Sequence, residues 1–187
     1  MDYIDINALS YSGAKHILRS PAHYQAWLKA EHKDTPALKL GRLAHLAALQ
    51  PDVCRETVFV APECDRRTKA GKETYENFTA GPPLNAEVID QDTAEKIAGI
   101  ASAAHAAFDK LGVSKEHYVA EKAVFANVNG VDIKGRPDLV TKIRGCEADY
   151  VIDIKTCQSA DQDAFARDIA TYKYHLQQAF YGTLCNT

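Results

Sequence analysis

Asp138, Asp153 and Lys155 stand among strand-forming apolar residues in the stretch of sequence from 135 to 156. Asp138 follows a proline in GRPDLV, and Asp153 stands two positions before Lys155 in VIDIKT. Because residues two apart on a strand point to the same face, we expect Asp153 and Lys155 to share a face. An Asp-x-Lys pair also occurs by chance on exposed strands. The apolar run around this pair favours burial instead, and buried charge requires a partner such as a metal ion.

Glu121 offers a third carboxylate from the strand that precedes Asp138. If the strands that carry Asp138 and Asp153 pair with each other, the two carboxylates lie side by side and Glu121 can join them. Carboxylates held together repel one another unless a cation neutralises them, and hard oxygen ligands suit Mg²⁺ or Mn²⁺. A lysine beside such a site can orient or deprotonate a water, or hold charge on a phosphate. The set therefore predicts a divalent-metal site.

The first half of the chain is predicted to be helical, because apolar residues recur there at helical spacing. The predicted helices are two short ones within residues 12–33 that meet at Pro21, one over 35–51, a short one around 70–79 after a strand or loop, and one over 86–112. Pro21 and Pro51 are expected to interrupt or end helices. Asp92 or Thr93 is a suitable start cap for the last of these helices, and Gly112 a suitable stop.

The second half of the chain is predicted to begin with strands, at residues 118–128, 131–143 and 149–156. Asn-Gly at 129–130 is a strong hairpin signal between the first two, and RGCEA provides the next turn. The end of the chain, from residue 160 to 184, returns to helix with an apolar stripe at Ile169, Tyr172, Leu176 and Phe180. These elements predict one α+β domain over residues 1–187, in which helices flank a small mixed sheet with a central β-meander.

Composition restricts the class of protein further. The 187 residues are 46% hydrophobic and 25% charged with a net charge of −3, and no apolar run reaches the roughly 18 residues that span a bilayer. The amino terminus does not resemble a secretory signal, so we expect a cytoplasmic protein without membrane contact. The five cysteines form no CxxC pair, which favours reduced thiols; a zinc or iron–sulfur site would need ligands that converge from distant positions.

Several motifs together resemble a known family. GRPD and DIK, with Glu121 upstream, resemble the signature of PD-(D/E)xK nucleases, while GRLAH at 41–45 and QQAFY at 177–181 are similar to motifs of its RecB-like branch. SYSGAKHILRSPAHYQAW, RRTKAGKETYENF and VNGVDIKGRPDLV look like the nuclease domain of RecE-like proteins (exonuclease VIII) of prophage type. The resemblance covers almost the whole chain, and it is specific because the motifs occur in order.

The resemblance implies both a fold and an activity. The expected fold is an α/β/α restriction-endonuclease-like core, C-terminally shortened because relatives continue past QQAFY. The expected activity is a Mg²⁺-dependent exonuclease, with Mn²⁺ as a substitute, that degrades linear double-stranded DNA from 5′ ends and leaves 3′ single-stranded tails for recombination. Such enzymes work beside a single-strand annealing protein and form homo-oligomeric rings. The alternatives are a DNA-end-binding or regulatory module without turnover, and a single-strand or structure-specific nuclease.

The resemblance also assigns roles to individual residues. Glu121, Asp138 and Asp153, with the backbone carbonyl of Ile154, would hold the metal ions, and His45 would add a ligand. Lys155 would activate the attacking water, and Gln177 and Tyr181 would position DNA or support the site. The predicted DNA contacts are basic: Arg66, Arg67, Lys69, Lys72 and Arg136.

Each of the weaker assignments has a structural alternative. A histidine such as His45 on a largely apolar helix is often a satisfied core residue. Tyr181, with Gln177 one helical turn away, lies on an apolar stripe where a tyrosine usually packs in the core. The basic run at 66–72 is often a solvated loop, although as phosphate contacts it would give salt-dependent, sequence-independent binding.

Overall fold

Helices and short strands build two compact units. The structure is a computed structural model that describes residues 3–31, 33–84 and 86–186. One unit comprises the described residues up to Lys33 and from Val113 onward, and the other comprises those from Asp34 to Gly112. The mixture of helices and small sheets confirms the predicted α+β class. Among the described residues, no helix has the combined length and apolar character that crossing a membrane would require.

The elements are numbered in chain order. The helices are α1 (Tyr11–Ile17), α2 (Pro21–Lys29), α3 (Pro36–Leu49), α4 (Pro51–Thr57), α5 (Lys69–Thr79), α6 (Gln91–Leu111), α7 (Gln162–Tyr172) and α8 (Tyr174–Cys185). The strands are β1 (Leu9–Ser10), β2 (Val58–Val60), β3 (Glu87–Ile89), β4 (Val119–Ala120), β5 (Val124–Val128), β6 (Val131–Gly135), β7 (Leu139–Lys142) and β8 (Asp149–Ile152).

The unit from Asp34 to Gly112 packs α3 and α6 against a parallel pair of strands, β2 and β3. Its core contains Leu43 from α3, Ile89 from β3 and Ile97 from α6. Burial of Leu43 and Ile97 on one face of their helices follows from the helical spacing of the apolar residues, as the sequence predicts.

The start of the long helix differs from the prediction. Residues 87–89 form β3 instead of helix, and the N-cap is Asp90, whose carboxylate accepts the backbone N–H of Thr93 at 2.8 Å. The valine and isoleucine of β3 favour a strand. The strand ends at Asp90, because this aspartate satisfies a free N–H group at the start of the helix. Gly112, with φ of 73°, closes the helix as predicted.

The other unit contains two small sheets. In the first, β6 lies between β1, to which it is parallel, and β5, to which it is antiparallel; in the second, β7 lies between β4 and β8, both antiparallel. The predicted Asn-Gly hairpin joins β5 to β6, and both turn residues have positive φ, 51° at Asn129 and 82° at Gly130. Positive φ at both positions is the requirement of a type I′ turn, which explains the residue types.

The predicted meander is therefore divided between two sheets. The strand expected over 131–143 is interrupted after Gly135 and resumes at Leu139, because Pro137 has no N–H group for a ladder. The strand expected over 118–128 is interrupted at Glu121, which has φ of 53°. The strand expected over 149–156 ends at Ile152. Asp153 and Lys155 therefore lie beyond the strand end, and the prediction that they share one strand face was wrong.

Helix α8 packs directly on β6. Ile133 of β6 is buried with Tyr181 and Leu184 of α8 in the core of this unit. A Cβ atom on Gly135 would lie 2.5 Å from Leu184 Cδ2 and 3.0 Å from Tyr181 Cε1. Glycine in the GRPD motif is thus what allows the helix to approach the strand this closely.

The last predicted helix is two helices. Lys173 adopts a left-handed conformation, with φ of 61°, and separates α7 from α8. The Tyr11 hydroxyl donates to the backbone carbonyls at this break, at 2.7 Å to Lys173 and 3.1 Å to Tyr172. The apolar residues keep their helical spacing through this break, so the sequence pattern does not predict it. The break depends on a contact with Tyr11, which lies on a distant helix.

Candidate metal centre and its supporting residues

Three carboxylates stand at one edge of the sheet formed by β4, β7 and β8. Glu121 follows the end of β4, Asp138 precedes the start of β7, and Asp153 follows the end of β8. In both antiparallel pairs the register is complete up to Leu139, which pairs with Ala120 on one side and Ile152 on the other. The three carboxylates thus occupy the next position on each of three neighbouring strands.

Glu121 and Asp138 are joined through backbone and side chain. The backbone N–H of Glu121 donates to the Asp138 carbonyl at 3.0 Å, and one carboxylate oxygen of each lies within 4.8 Å of the other. Arg136 forms an ion pair with Glu121, with 3.1 Å between Nε and Oε2. The two carboxylates are close enough to share a cation, and the exposed guanidinium of Arg136 offsets part of their mutual repulsion.

Asp138 is buried, with 7% of its surface exposed, and its orientation is determined by the backbone of the next strand. The Ile154 N–H donates to Asp138 Oδ2 at 2.7 Å. This amide lies past the end of β8, opposite the region of Pro137, where no N–H is available for a regular ladder. A hydrogen bond from a backbone N–H to a buried carboxylate is charge-assisted and therefore strong.

The side chain of Asp153 is also enclosed, with 5% of it exposed. It forms a close ion pair with Lys155 through Oδ2, while Gln177 Nε2 donates to Oδ1 at 3.0 Å. Gln177 Nε2 also lies 3.3 Å from the hydroxyl of Tyr181, one helical turn further along α8. Both oxygens of Asp153 therefore have partners, and its orientation is set from two elements.

Tyr181 is held in its neutral form. Burial raises the pKa of Tyr181 to about 12, with a further contribution from the nearby charges of Asp153 and Asp138, while the hydrogen bond with Gln177 opposes the shift. The residue packs in the core, as its apolar stripe indicates, and its hydroxyl simultaneously reaches the carboxylate network. Both interpretations of this tyrosine thus describe the same side chain.

Lys155 rests on an aromatic ring that the sequence analysis does not single out. Its ammonium nitrogen lies 5.0 Å from the centre of the Tyr174 ring, a cation–π distance. Tyr174 precedes Gln177 by three positions and Tyr181 by seven, so all three share one face of α8. That spacing is a signal from which Tyr174 could have been found.

Burial lowers the pKa of the half-buried Lys15, and the positive charge of Lys155 lowers it further.

The structure brings together seven of the residues that the sequence singles out. Glu121, Arg136, Asp138, Asp153, Lys155, Gln177 and Tyr181 form one connected set of hydrogen bonds, ion pairs and short carboxylate distances. Ile154 contributes its N–H to this set, and a role for its carbonyl stays a prediction. The set draws on the ends of three strands and on one face of α8.

The remaining candidates lie in the unit from Asp34 to Gly112. His45 is half-buried on α3, and its role as a metal ligand stays a prediction. The four basic candidates at the start of α5 are exposed: Arg66, Arg67, Lys69 and Lys72. The guanidinium of Arg66 lies 4.6 Å from the centre of the Tyr75 ring, and Thr68 caps α5 by accepting the Gly71 N–H. DNA contact by this run also stays a prediction.

Comparison with known families identifies the family of this chain. Residues 10–187 match the model of a family described as "PDDEXK-like domain of unknown function (DUF3799)". The match covers almost the whole chain, so the chain belongs to this PDDEXK-like family, as GRPD, DIK and Glu121 predict at the level of the superfamily. No curated protein matches the sequence significantly. Membership of a PDDEXK-like family indicates nuclease activity as the class of function.

Proposed function

We propose that this chain is a metal-dependent deoxyribonuclease that degrades linear double-stranded DNA as an exonuclease. The observation that supports this proposal is the position of Glu121, Asp138 and Asp153 at one edge of three neighbouring strands, with Lys155 paired to the last of them. A buried group of this kind contributes little to folding, because charged groups lose hydration on burial. Its chemistry suits the hydrolysis of phosphodiester bonds.

The donor set fits a hard divalent cation. Glu121 and Asp138 present carboxylate oxygens within 4.8 Å of each other, and together with Asp153 they are the residues that would hold Mg²⁺ or Mn²⁺. Bound metal would supply Lewis-acid polarisation of the scissile phosphate and an activated water. Asp138, held by the Ile154 N–H, and Asp153, held by Gln177, present oxygens whose directions are set before any ligand arrives.

Lys155 is the residue we assign to the reacting groups. Its side chain is 20% exposed, so substrate can reach the ammonium while Asp153 and the Tyr174 ring hold it in place. From that position the ammonium orients the attacking water and donates hydrogen bonds to the phosphate as negative charge develops on it. Gln177 acts one step away, because it orients Asp153, which in turn orients Lys155.

The finer features of the proposal rest on the resemblance of the motifs to RecE-like exonucleases. These features are digestion from 5′ ends, 3′ single-stranded products, cooperation with a single-strand annealing protein, and a homo-oligomeric ring. Phosphate contacts by the exposed run Arg66, Arg67, Lys69 and Lys72, and metal ligation by His45, belong to the same proposal. Exposed basic side chains around the start of a helix can contact DNA phosphates, and phosphate contacts do not depend on the base sequence.

A nuclease assay on defined DNA tests the proposal. The chain is incubated with linear duplex labelled at either 5′ or 3′ ends, with covalently closed circles and with single strands, in Mg²⁺, in Mn²⁺ or in EDTA. We expect metal-dependent loss of the linear duplex from its 5′ ends and intact circles. Lys155→Ala should lower the rate at least about 100-fold. Lys142→Ala is the matched control, because Lys142 lies in the same sheet and its ammonium contacts groups at the other end of the β7–β8 pair, the Asp149 carboxylate and the Glu147 carbonyl.

The outcomes separate the proposal from its alternatives. Wild-type cleavage by Lys155→Ala would show that the site is assigned to the wrong residues. Binding of DNA ends without hydrolysis in either metal would identify an end-binding module. Cleavage of single strands alone would identify a single-strand nuclease.

A further inference from the structure

The aromatic ring that contacts Lys155 belongs to a group of three rings that we call the aromatic row: Phe165, Tyr172 and Tyr174. The Tyr174 ring, which contacts the Lys155 ammonium, is stacked against Tyr172 with 5.7 Å between ring centres and 25° between planes. On α7, Phe165 lies 6.3 Å from Tyr174 at a tilt of 37°. The ring shared by both pairs, Tyr174, thus lies beside the residue assigned to the reacting phosphate.

The outer ring of the row faces solvent. Tyr172 is 52% exposed, whereas Tyr174 and Phe165 are half-buried. Core packing accounts for the two half-buried rings. It does not account for a large ring that is stacked on one neighbour and otherwise left largely in water, since burial is what normally stabilises such a side chain. A flat, exposed ring next to a bound strand is what base stacking requires.

The position of this ring is set by the break between α7 and α8. Lys173 has a left-handed conformation, and the Tyr11 hydroxyl holds the two carbonyls on either side of it, those of Tyr172 and Lys173. The Tyr11 ring is itself buried. A continuous helix would turn the side chains of residues 172 and 174 to different sides of the axis, whereas the break places their rings in contact.

The charge around the row suits a polyanion. Lys155 contacts the row through Tyr174, and the exposed Lys173 lies between Tyr172 and Tyr174 in the chain. Lys15 is close enough to Lys155 for the charge of Lys155 to lower its pKa further, after the larger effect of burial. Asp168 on α7 carries the opposite charge near Tyr174. Cations beside stacking rings are the combination with which proteins hold single-stranded nucleic acid, because the cations contact phosphates while the rings contact bases.

We propose that the aromatic row is a stacking site for an unpaired nucleobase of the DNA strand whose phosphate lies at Lys155. The inference rests on the proposed function and specifies its substrate further. A base must leave the duplex before it can stack on Tyr172, so ends with unpaired bases are bound better than fully paired ends. The ring face of Tyr172 makes this contact, and its hydroxyl group is dispensable.

The test pairs a change in the protein with a change in the DNA. Tyr172→Ala and Tyr172→Phe are compared with wild type on two linear duplexes that carry the same short unpaired end, one with normal bases and one with abasic sites in the unpaired positions. We expect Tyr172→Ala to lower kcat/KM about 5- to 150-fold on the normal end, mainly through KM. On the abasic end it should match wild type, and Tyr172→Phe should match wild type on both.

A structural role of Tyr172 would give a different pattern. Misfolding or a shifted helix would lower the rate on both ends equally, and that result would overturn the stacking site. Equal rates for wild type and Tyr172→Ala on the normal end would overturn it too. The substitution leaves the contacts of Tyr11 in place, because they go to backbone carbonyls. If wild type cleaves neither end in Mg²⁺ or Mn²⁺, the proposed function fails and the stacking site fails with it; cleavage by wild type confines any failure to the stacking site.

Discussion

Asp138 has two roles that a pair of substitutions can separate. Its carboxylate accepts the Ile154 N–H at 2.7 Å, which connects the start of β7 to the chain beyond β8, and it is a proposed metal ligand beside Glu121. Asp138→Asn keeps an oxygen that can accept the N–H but removes the negative charge. Asp138→Ala removes both. The two variants therefore differ in stability, while both lack the ligand.

The magnitudes follow from the contacts. In Asp138→Ala the buried Ile154 N–H loses its acceptor, which costs about 1–3 kcal/mol, and a small cavity adds to this. In Asp138→Asn a charge-assisted bond becomes a neutral one, at a cost of about 1 kcal/mol. Removal of the charge also relieves repulsion from Glu121, which is about 3.5 kcal/mol for two unit charges 4.8 Å apart at an effective dielectric constant near 20 and which the Arg136 guanidinium already offsets in part. We therefore expect Asp138→Asn to be about as stable as wild type without metal.

Activity and metal binding, unlike stability, should not distinguish the two variants. Both Asp138 variants should lose nuclease activity at least about 100-fold, because each lacks a proposed metal ligand. The measurements are urea denaturation without metal, thermal denaturation with and without Mn²⁺, and cleavage of linear duplex. Mn²⁺ should raise the Tm of wild type and leave that of Asp138→Asn unchanged. Asp149→Asn is the matched control, since it makes the same change at the exposed far end of β8.

Two results would refute this account of Asp138. If Asp138→Asn cleaves DNA at the wild-type rate, its charge is not needed and it is not a ligand. If Asp138→Asn is destabilised as much as Asp138→Ala, the charge itself is essential to the fold, and the hydrogen bond to Ile154 is not the stabilising feature.

Two further predictions concern the residues that support the site. Because the pKa of Tyr181 rises from 10.0 to about 12 on folding, the unfolded chain loses this proton first, so stability is complete below pH 10 and falls as the pH rises toward 12. The loss approaches about 3 kcal/mol. In urea denaturation between pH 8 and 11, the free energy of unfolding should therefore fall less steeply with pH in Tyr181→Phe than in wild type. Equal slopes would show that the Tyr181 phenol titrates normally in the folded state. Tyr11→Phe removes the hydrogen bonds to the carbonyls of Tyr172 and Lys173 and should lower the free energy of unfolding by about 1–2 kcal/mol in urea denaturation. It should also lower nuclease activity, because Gln177 follows this break; unchanged stability would show that the break does not depend on the tyrosine.

Local patterns in the sequence account for the elements and for the types of residue at the site. Helical spacing predicts α3 and α6, Asn129 and Gly130 predict the hairpin, and Pro21 predicts the separation of α1 from α2. These predictions succeed because each depends on a few neighbouring residues whose φ values or missing N–H groups allow few alternatives. Errors arise where two local signals compete. At the start of α6, Asp90 caps the helix, although Asp92 and Thr93 also favour a helix start.

The sequence by itself determined the α+β class, the PDDEXK-like signature and the choice of carboxylates and lysine. The connections among them depend on tertiary structure. The contact of Gln177 with Asp153, the cation–π pair of Lys155 with Tyr174, and the helix break under Tyr11 all join residues from different elements. Periodicity gives the face on which a side chain lies, but not the distant group it meets, because that meeting depends on how closely α8 packs on β6 and where β8 ends.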